Sequence, residues 1–195
     1  MAVRAVAWVP EAETRPWDEA AALAGAWLRQ QARDHGDRIG VVPPVIQEYM
    51  IDDVDRLGWK TSRRSGRKRV PDGTLGVLAY VPDWDELEFA TGLARDGSLV
   101  AVEGTLAPLE GWARWHQAVD LVTGEVTEPL ADDLRTVVER LKFYGNNGFA
   151  RGFGRDQAMR AVRDVPADAH GLVLGALLAA GQRSSGVKRL ADLFQ

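Results

Sequence analysis

VLAYVPDWDELEFATGLARDGSLVAVEG, residues 77–104, holds an apolar run, a proline-ended turn, an acid-started helical pattern and a second apolar run. The spacing predicts a strand over 76–81, a helix over 84–95 and a strand over 98–103. Asp83 stands at the N-cap position, with Glu86 three residues on to close a capping box. Both apolar runs are near-continuous rather than alternating, the mark of parallel strands covered on both faces. The same order occurs near the start of the chain, with a strand over 3–9, a helix over 16–34 and a strand over 39–42. Ala7-Trp8-Val9-Pro10 matches Ala79-Tyr80-Val81-Pro82, and Trp17-Asp18-Glu19 matches Trp84-Asp85-Glu86. A strand, helix and parallel return strand close by a right-handed crossover. Two such βαβ units in tandem predict an α/β protein built on a small parallel sheet.

The same periodicity predicts a helix over 44–57, followed by the polar stretch WKTSRRSGRKRVPDGT as a long exposed loop. Beyond Gly104 the pattern turns helical, with segments over 109–119, 130–142, 155–165, 170–180 and 186–194 and a turn over 122–128. The expected division is an α/β domain over 1–125, carrying an exposed basic loop at 58–75, and a helical C-terminal subdomain over 126–195 packed on it. The break FYGNNGFARGFG, residues 143–154, is rich in glycine and asparagine, which tolerate left-handed backbone.

At 195 residues and 46% hydrophobic, the chain can bury a sizeable core. It has no cysteine, which excludes disulfides, thiolate metal sites and a thiol nucleophile. Its early residues form no uninterrupted apolar signal core, and the apolar stretch from Gly171 to Gly181 is too short to span a bilayer. A cytoplasmic protein with no membrane partner is the expectation. Arginine outnumbers lysine, as in proteins of GC-rich bacterial genomes. Net charge is −4, yet Arg56, Lys60, Arg63, Arg64, Arg67, Lys68 and Arg69 fall within 14 residues without one acid, leaving −11 for the rest. The whole-chain figure excludes wholesale electrostatic binding and hides a local cationic loop.

That loop carries the first functional expectation, a nucleic-acid or polyanion binding module. Lys60, Arg63, Arg64, Arg67, Lys68 and Arg69 would neutralise phosphates, and Trp59 would stack on a base. Arg151 and Arg155 would join them from the glycine loop, where backbone N–H groups cradle anions. Arg151-Gly152-Phe153-Gly154 repeats the first four positions of an RNA-recognition motif, but a helix rather than a strand follows. The alternative is an enzyme acting on a nucleotide or phosphorylated small molecule at the carboxyl ends of the strands. Asp83, Asp85 and Glu103 would form its site, with Asn146 and Asn147 facing it and Mg²⁺ bound there; no other cofactor is implied. Val100-Ala101-Val102-Glu103-Gly104 resembles the strand-Glu-Gly opening of Toprim-type nucleotidyl-transfer domains over five residues, without the downstream Asp-x-Asp strand. A third alternative is a protein–protein adaptor using Trp112, Trp115 and the C-terminal helix. The histidines lack metal-ligand spacing; His116 with Asp120 four residues on is a candidate catalytic pair. No nucleophile elbow, dinucleotide fingerprint or Walker loop is present.

Overall fold

The computed structural model describes residues 3–63, 71–163 and 165–194. It is an α/β protein that divides into two compact units. Unit 1 takes Met1–Ala107 and Ala118–Val126; unit 2 takes Pro108–Gln117 and Thr127–Gln195.

Unit 1 carries a six-stranded sheet of β1 (Ala5–Val9), β2 (Arg38–Val42), β3 (Trp59–Lys60), β4 (Thr74–Tyr80), β5 (Ser98–Val102) and β6 (Val119–Asp120), in the order β3-β2-β4-β5-β1-β6 with every pairing parallel. The two βαβ units are nested rather than side by side. β4 and β5 are neighbours, whereas β1 and β2 stand apart with β4 and β5 between them. Helix α1 (Trp17–His35) makes the long crossover and packs over β4 and β5. Helix α3 (Trp84–Leu93) returns in the opposite sense, so right-handed crossovers place the two helices on opposite faces of the sheet. The α1 face is lined by Ala7, Val9, Val41, Leu78, Tyr80, Val100 and Val102, closed by Ala20, Ala21, Ala24 and Leu28 from the helix.

Register decides what the repeated motif means. Val9 lies level with Val102, and Val102 with Tyr80, so Trp8 stands level with Ala79. The matched aromatics are thus offset by one position and project to opposite faces. The likeness is one of folding pattern, not of shared side-chain geometry.

The segment over 44–57 is not one helix. It forms a 3₁₀ turn at Gln47–Tyr49 and a single α turn, α2 (Asp52–Asp55), separated by extended Met50 and Ile51. Tyr49 packs on Trp17 with ring centroids 5.1 Å apart, and Val54 is buried in the core. Tertiary contacts at both ends outweigh the helical spacing. The expected loop at 58–75 is also partly strand. Trp59–Lys60 pairs with β2, and buried Thr61 donates its N–H to Val41 O at 2.9 Å.

Asp83 accepts the Glu86 N–H at 2.9 Å, as a helix cap should. Asp83→Ala is expected to cost about 1 kcal/mol and Asp83→Ser much less, read from denaturant midpoints. Equal losses would place the effect elsewhere than the cap.

Unit 2 contains α4 (Glu110–His116), α5 (Asp132–Tyr144), α6 (Phe153–Val162), α7 (His170–Ala179) and α8 (Ser184–Ala191). Among the described residues, no helix is long and apolar enough to cross a membrane.

Candidate functional site

Three regions raised by the sequence have different fates. In the basic stretch, the described cations are matched by acids. Arg56 pairs with Asp52 at 3.1 Å, Lys60 with Asp55, and Arg63 with Asp85 at 3.0 Å and Glu88 at 3.8 Å. Buried Glu86 also accepts the Arg63 backbone N–H at 3.3 Å. Each exposed pair is worth only about 0–1 kcal/mol, but each sets an acid against one of the described cations. Arg64, Arg67, Lys68 and Arg69 lie outside the described residues.

The carboxyl ends of the strands form the second region. A cleft of about 140 Å³ is lined by Pro10, Glu11, Glu13, Arg15, Trp17 and Glu103. Glu103 accepts the Glu11 N–H at 3.0 Å, and Arg15 donates to Pro10 O at 2.5 Å. Its carboxylates outnumber its one cation, which disfavours a bare phosphate. Asp83 caps α3 and Asp85 is engaged by Arg63. Among the described residues no three acids or histidines converge as a metal site.

One strained residue marks this edge: Val81, fully buried at the end of β4 with φ +47°. A β-branched residue there is a true outlier. Gly104 makes room for it, because a Cβ at 104 would sit 2.5 Å from Val81 Cγ1 and 3.4 Å from Trp17 Cη2. Beside it the Tyr80 hydroxyl donates to Trp17 O at 3.3 Å. Burial, with a smaller push from the Asp18 carboxylate, raises its pKa to about 12, so it stays a donor.

The third region is the turn between α5 and α6. Gly145–Asn147 forms a 3₁₀ turn, and Gly148, Phe149 and Gly152 follow with positive φ. Phe149 folds inward and is buried, its ring so close to Gly145 that a Cβ there would lie 2.5 Å from it. Phe143 and Phe153 turn outward instead, 77% and 72% exposed. Tyr144 links them edge-on, with centroids 5.1 Å from Phe143 and 6.2 Å from Phe153. Lys142 and Arg151 are exposed and Arg155 half-buried on the same two helix ends; among the described residues none of the three forms an ion pair. The sequence reading singled out Arg151 and Arg155 but not Phe143, Tyr144 or Phe153. The signal available was the alternation of aromatic and cationic residues in KFYGNNGFARGFGR.

The tryptophans divide. Trp112 is wholly buried and cannot present itself to a partner; Trp115 is half-buried, with the Arg135 guanidinium 5.0 Å over its ring. Helix α8 docks within its own unit through buried Val187 and Leu190. His116 Nε2 and Trp112 Nε1 are buried with no hydrogen-bond partner among the described residues. Asp120 uses its carboxylate on the N–H groups of Val122 and Thr123, at 2.8 and 3.4 Å.

No protein-family model, curated protein or solved structure matches the chain.

Proposed function

We propose that this chain binds single-stranded nucleic acid, with the α5–α6 corner as its stacking surface. The observation that carries the reading is the pair of exposed rings Phe143 and Phe153, linked through half-buried Tyr144, on a corner that also carries Lys142, Arg151 and Arg155. Solvent-facing aromatics offer π-faces to unpaired bases, which duplex DNA keeps stacked within itself. Cations with no acid partner among the described residues suit a backbone that carries one charge per nucleotide. A protein partner would need only the apolar part of this surface. Arg63, in the other unit, is engaged by Asp85 and Glu88 and is not counted among the phosphate contacts of this surface.

The test is a mobility-shift titration with single-stranded DNA, RNA and duplex DNA at two salt concentrations. Phe143→Leu with Phe153→Leu keeps the apolar bulk and removes the rings; at 1–3 kcal/mol per stacked base, binding should weaken by about tenfold or more. Arg151→Ala with Arg155→Ala should lower the slope of log affinity against log salt by about 1.4. Arg63→Ala should change little. A double leucine variant that binds as tightly as wild type, or no binding at low salt, sinks the reading.

A further inference from the structure

At the glycine–asparagine turn, within unit 2, lies a polar cleft. It is about 450 Å³ and is walled by Asn146 and Gly148 on one side and Gln182, Arg183, Ser185 and Arg189 on the other. We infer that this cleft binds a phosphate monoester, a site separate from the stacking surface and standing whether or not that surface binds nucleic acid.

The lining has two guanidinium groups, two side-chain amides, one hydroxyl and no carboxylate. Among the described residues, neither Arg183 nor Arg189 has an acid within ion-pair distance. In a chain with more acids than bases, two arginines turned to one cavity without a counter-charge are unusual. Their mutual repulsion is relieved by an anion between them. A monoester carries about −1.5 to −2 charge at neutral pH and three strong acceptor oxygens, which matches two guanidinium forks; a diester carries only one charge. The volume lies in the range of small-molecule sites and admits a mononucleotide.

The walls are held in place. Arg189 Nη1 donates to Gly148 O at 3.1 Å, which orients the guanidinium and leaves its other donors available. Gln182 Nε2 donates to Gly145 O at 2.9 Å and packs against Gly186, where any Cβ would collide with the amide. Gly148 needs its left-handed φ of +69° to bring that carbonyl round, and Gly181 turns the opposite wall at φ +96°. The monoester has two natural sources: a free mononucleotide, or the terminal phosphate of a strand whose bases stack on Tyr144, the residue just before Gly145.

Titration calorimetry of the full chain with inorganic phosphate, adenosine 5′-monophosphate and adenosine separates these cases, alongside 5′-phosphorylated and 5′-hydroxyl oligonucleotides. The monophosphate should bind at least about tenfold more tightly than the nucleoside if two charge-assisted contacts form. Ser185→Glu puts a carboxylate in the cleft while favouring the first turn of α8, and Arg183→Ala removes one fork. Each should weaken phosphate binding by about tenfold or more, and Phe143→Leu with Phe153→Leu should not affect it. If only the 5′-phosphorylated oligonucleotide shows an advantage, and Ser185→Glu abolishes it, the strand end is the source. Oligonucleotide binding that persists in Ser185→Glu without 5′-phosphate preference, together with no binding of phosphate or monophosphate at millimolar concentration, overturns this site and leaves the stacking surface standing. Phosphate binding unchanged in both Ser185→Glu and Arg183→Ala overturns it as well.

Discussion

Gly111→Val will cost the helical unit about 3 kcal/mol or more. Gly111 lies on α4 where the helix meets α7, and a Cβ there would fall on the Leu172 carbonyl, with its carbon 2.6 Å and its Cα 2.7 Å away. The collision is with backbone, which cannot rotate aside as a side chain can. Gly175 answers from α7: a Cβ there would sit 2.8 Å from Trp112 N and 3.1 Å from Pro108 O. The two helices therefore approach backbone to backbone, and buried Trp112 fills the space beside them. Valine forces the helices apart and opens gaps along the whole contact. Stabilities run at about 0.05–0.15 kcal/mol per residue, so a unit of this size loses a large part of its total. Gly92→Ala is the control. That glycine lies in α3 with nothing within 4 Å of a Cβ, and alanine there should gain about 0.5–1 kcal/mol. Urea unfolding followed by tryptophan fluorescence measures both, and a Gly111→Val midpoint close to wild type would show that the helices meet differently.

The α/β class was legible because its signal is local. Near-continuous apolar runs, an acid-capped helix start and a glycine stop each act within a few residues of one another. Strand order was not, because periodicity assigns a residue to a face and says nothing of the neighbouring strand. β1 and β2 are joined by one helix yet separated by β4 and β5, which come later in the chain. The segment over 44–57 shows the same limit from the other side. Its apolar residues fit a helix, but Tyr49 is drawn to Trp17 and Val54 to the core, contacts that no local pattern records.

At the candidate sites, charge was legible and its neutralisation was not. Arg63 and Asp85 were assigned to different sites because 22 positions separate them; in the fold they lie 3.0 Å apart. The aromatic cluster was hidden for a related reason. Phe143, Phe149 and Phe153 look equivalent in sequence, and only the left-handed turn at Phe149 decides that this ring enters the core while the others face water. Arg189 sits in the segment read as a helix over 186–194, and Arg183 just before it. Their meeting with Asn146 depends on a fold-back of more than 30 residues.

The second large effect is an acid sensitivity set by His116. Its Nε2 is shut away from solvent without a hydrogen-bond partner among the described residues, and its ring stands edge-on to Trp112 with centroids 5.1 Å apart. Burial disfavours the imidazolium and lowers the pKa to about 4, against 6.5 for an ordinary histidine. Between those values the unfolded chain binds a proton at this residue and the folded chain does not. Stability therefore rises with pH across the window, and is lost as pH falls from about 6.5 towards 4. At 1.36 kcal/mol per unit the full loss is about 3 kcal/mol. His116→Phe retains an aromatic edge against Trp112 and removes the titration. Urea midpoints for the two proteins should agree within about 1 kcal/mol at pH 7.5 and diverge on acidification, the wild type losing about 2–3 kcal/mol more by pH 4.5. Carboxylates that titrate in the same range are common to both proteins and cancel in the difference. Parallel stability curves would mean that the folded state accommodates the charged ring, and that His116 has a polar partner or a route to water when protonated.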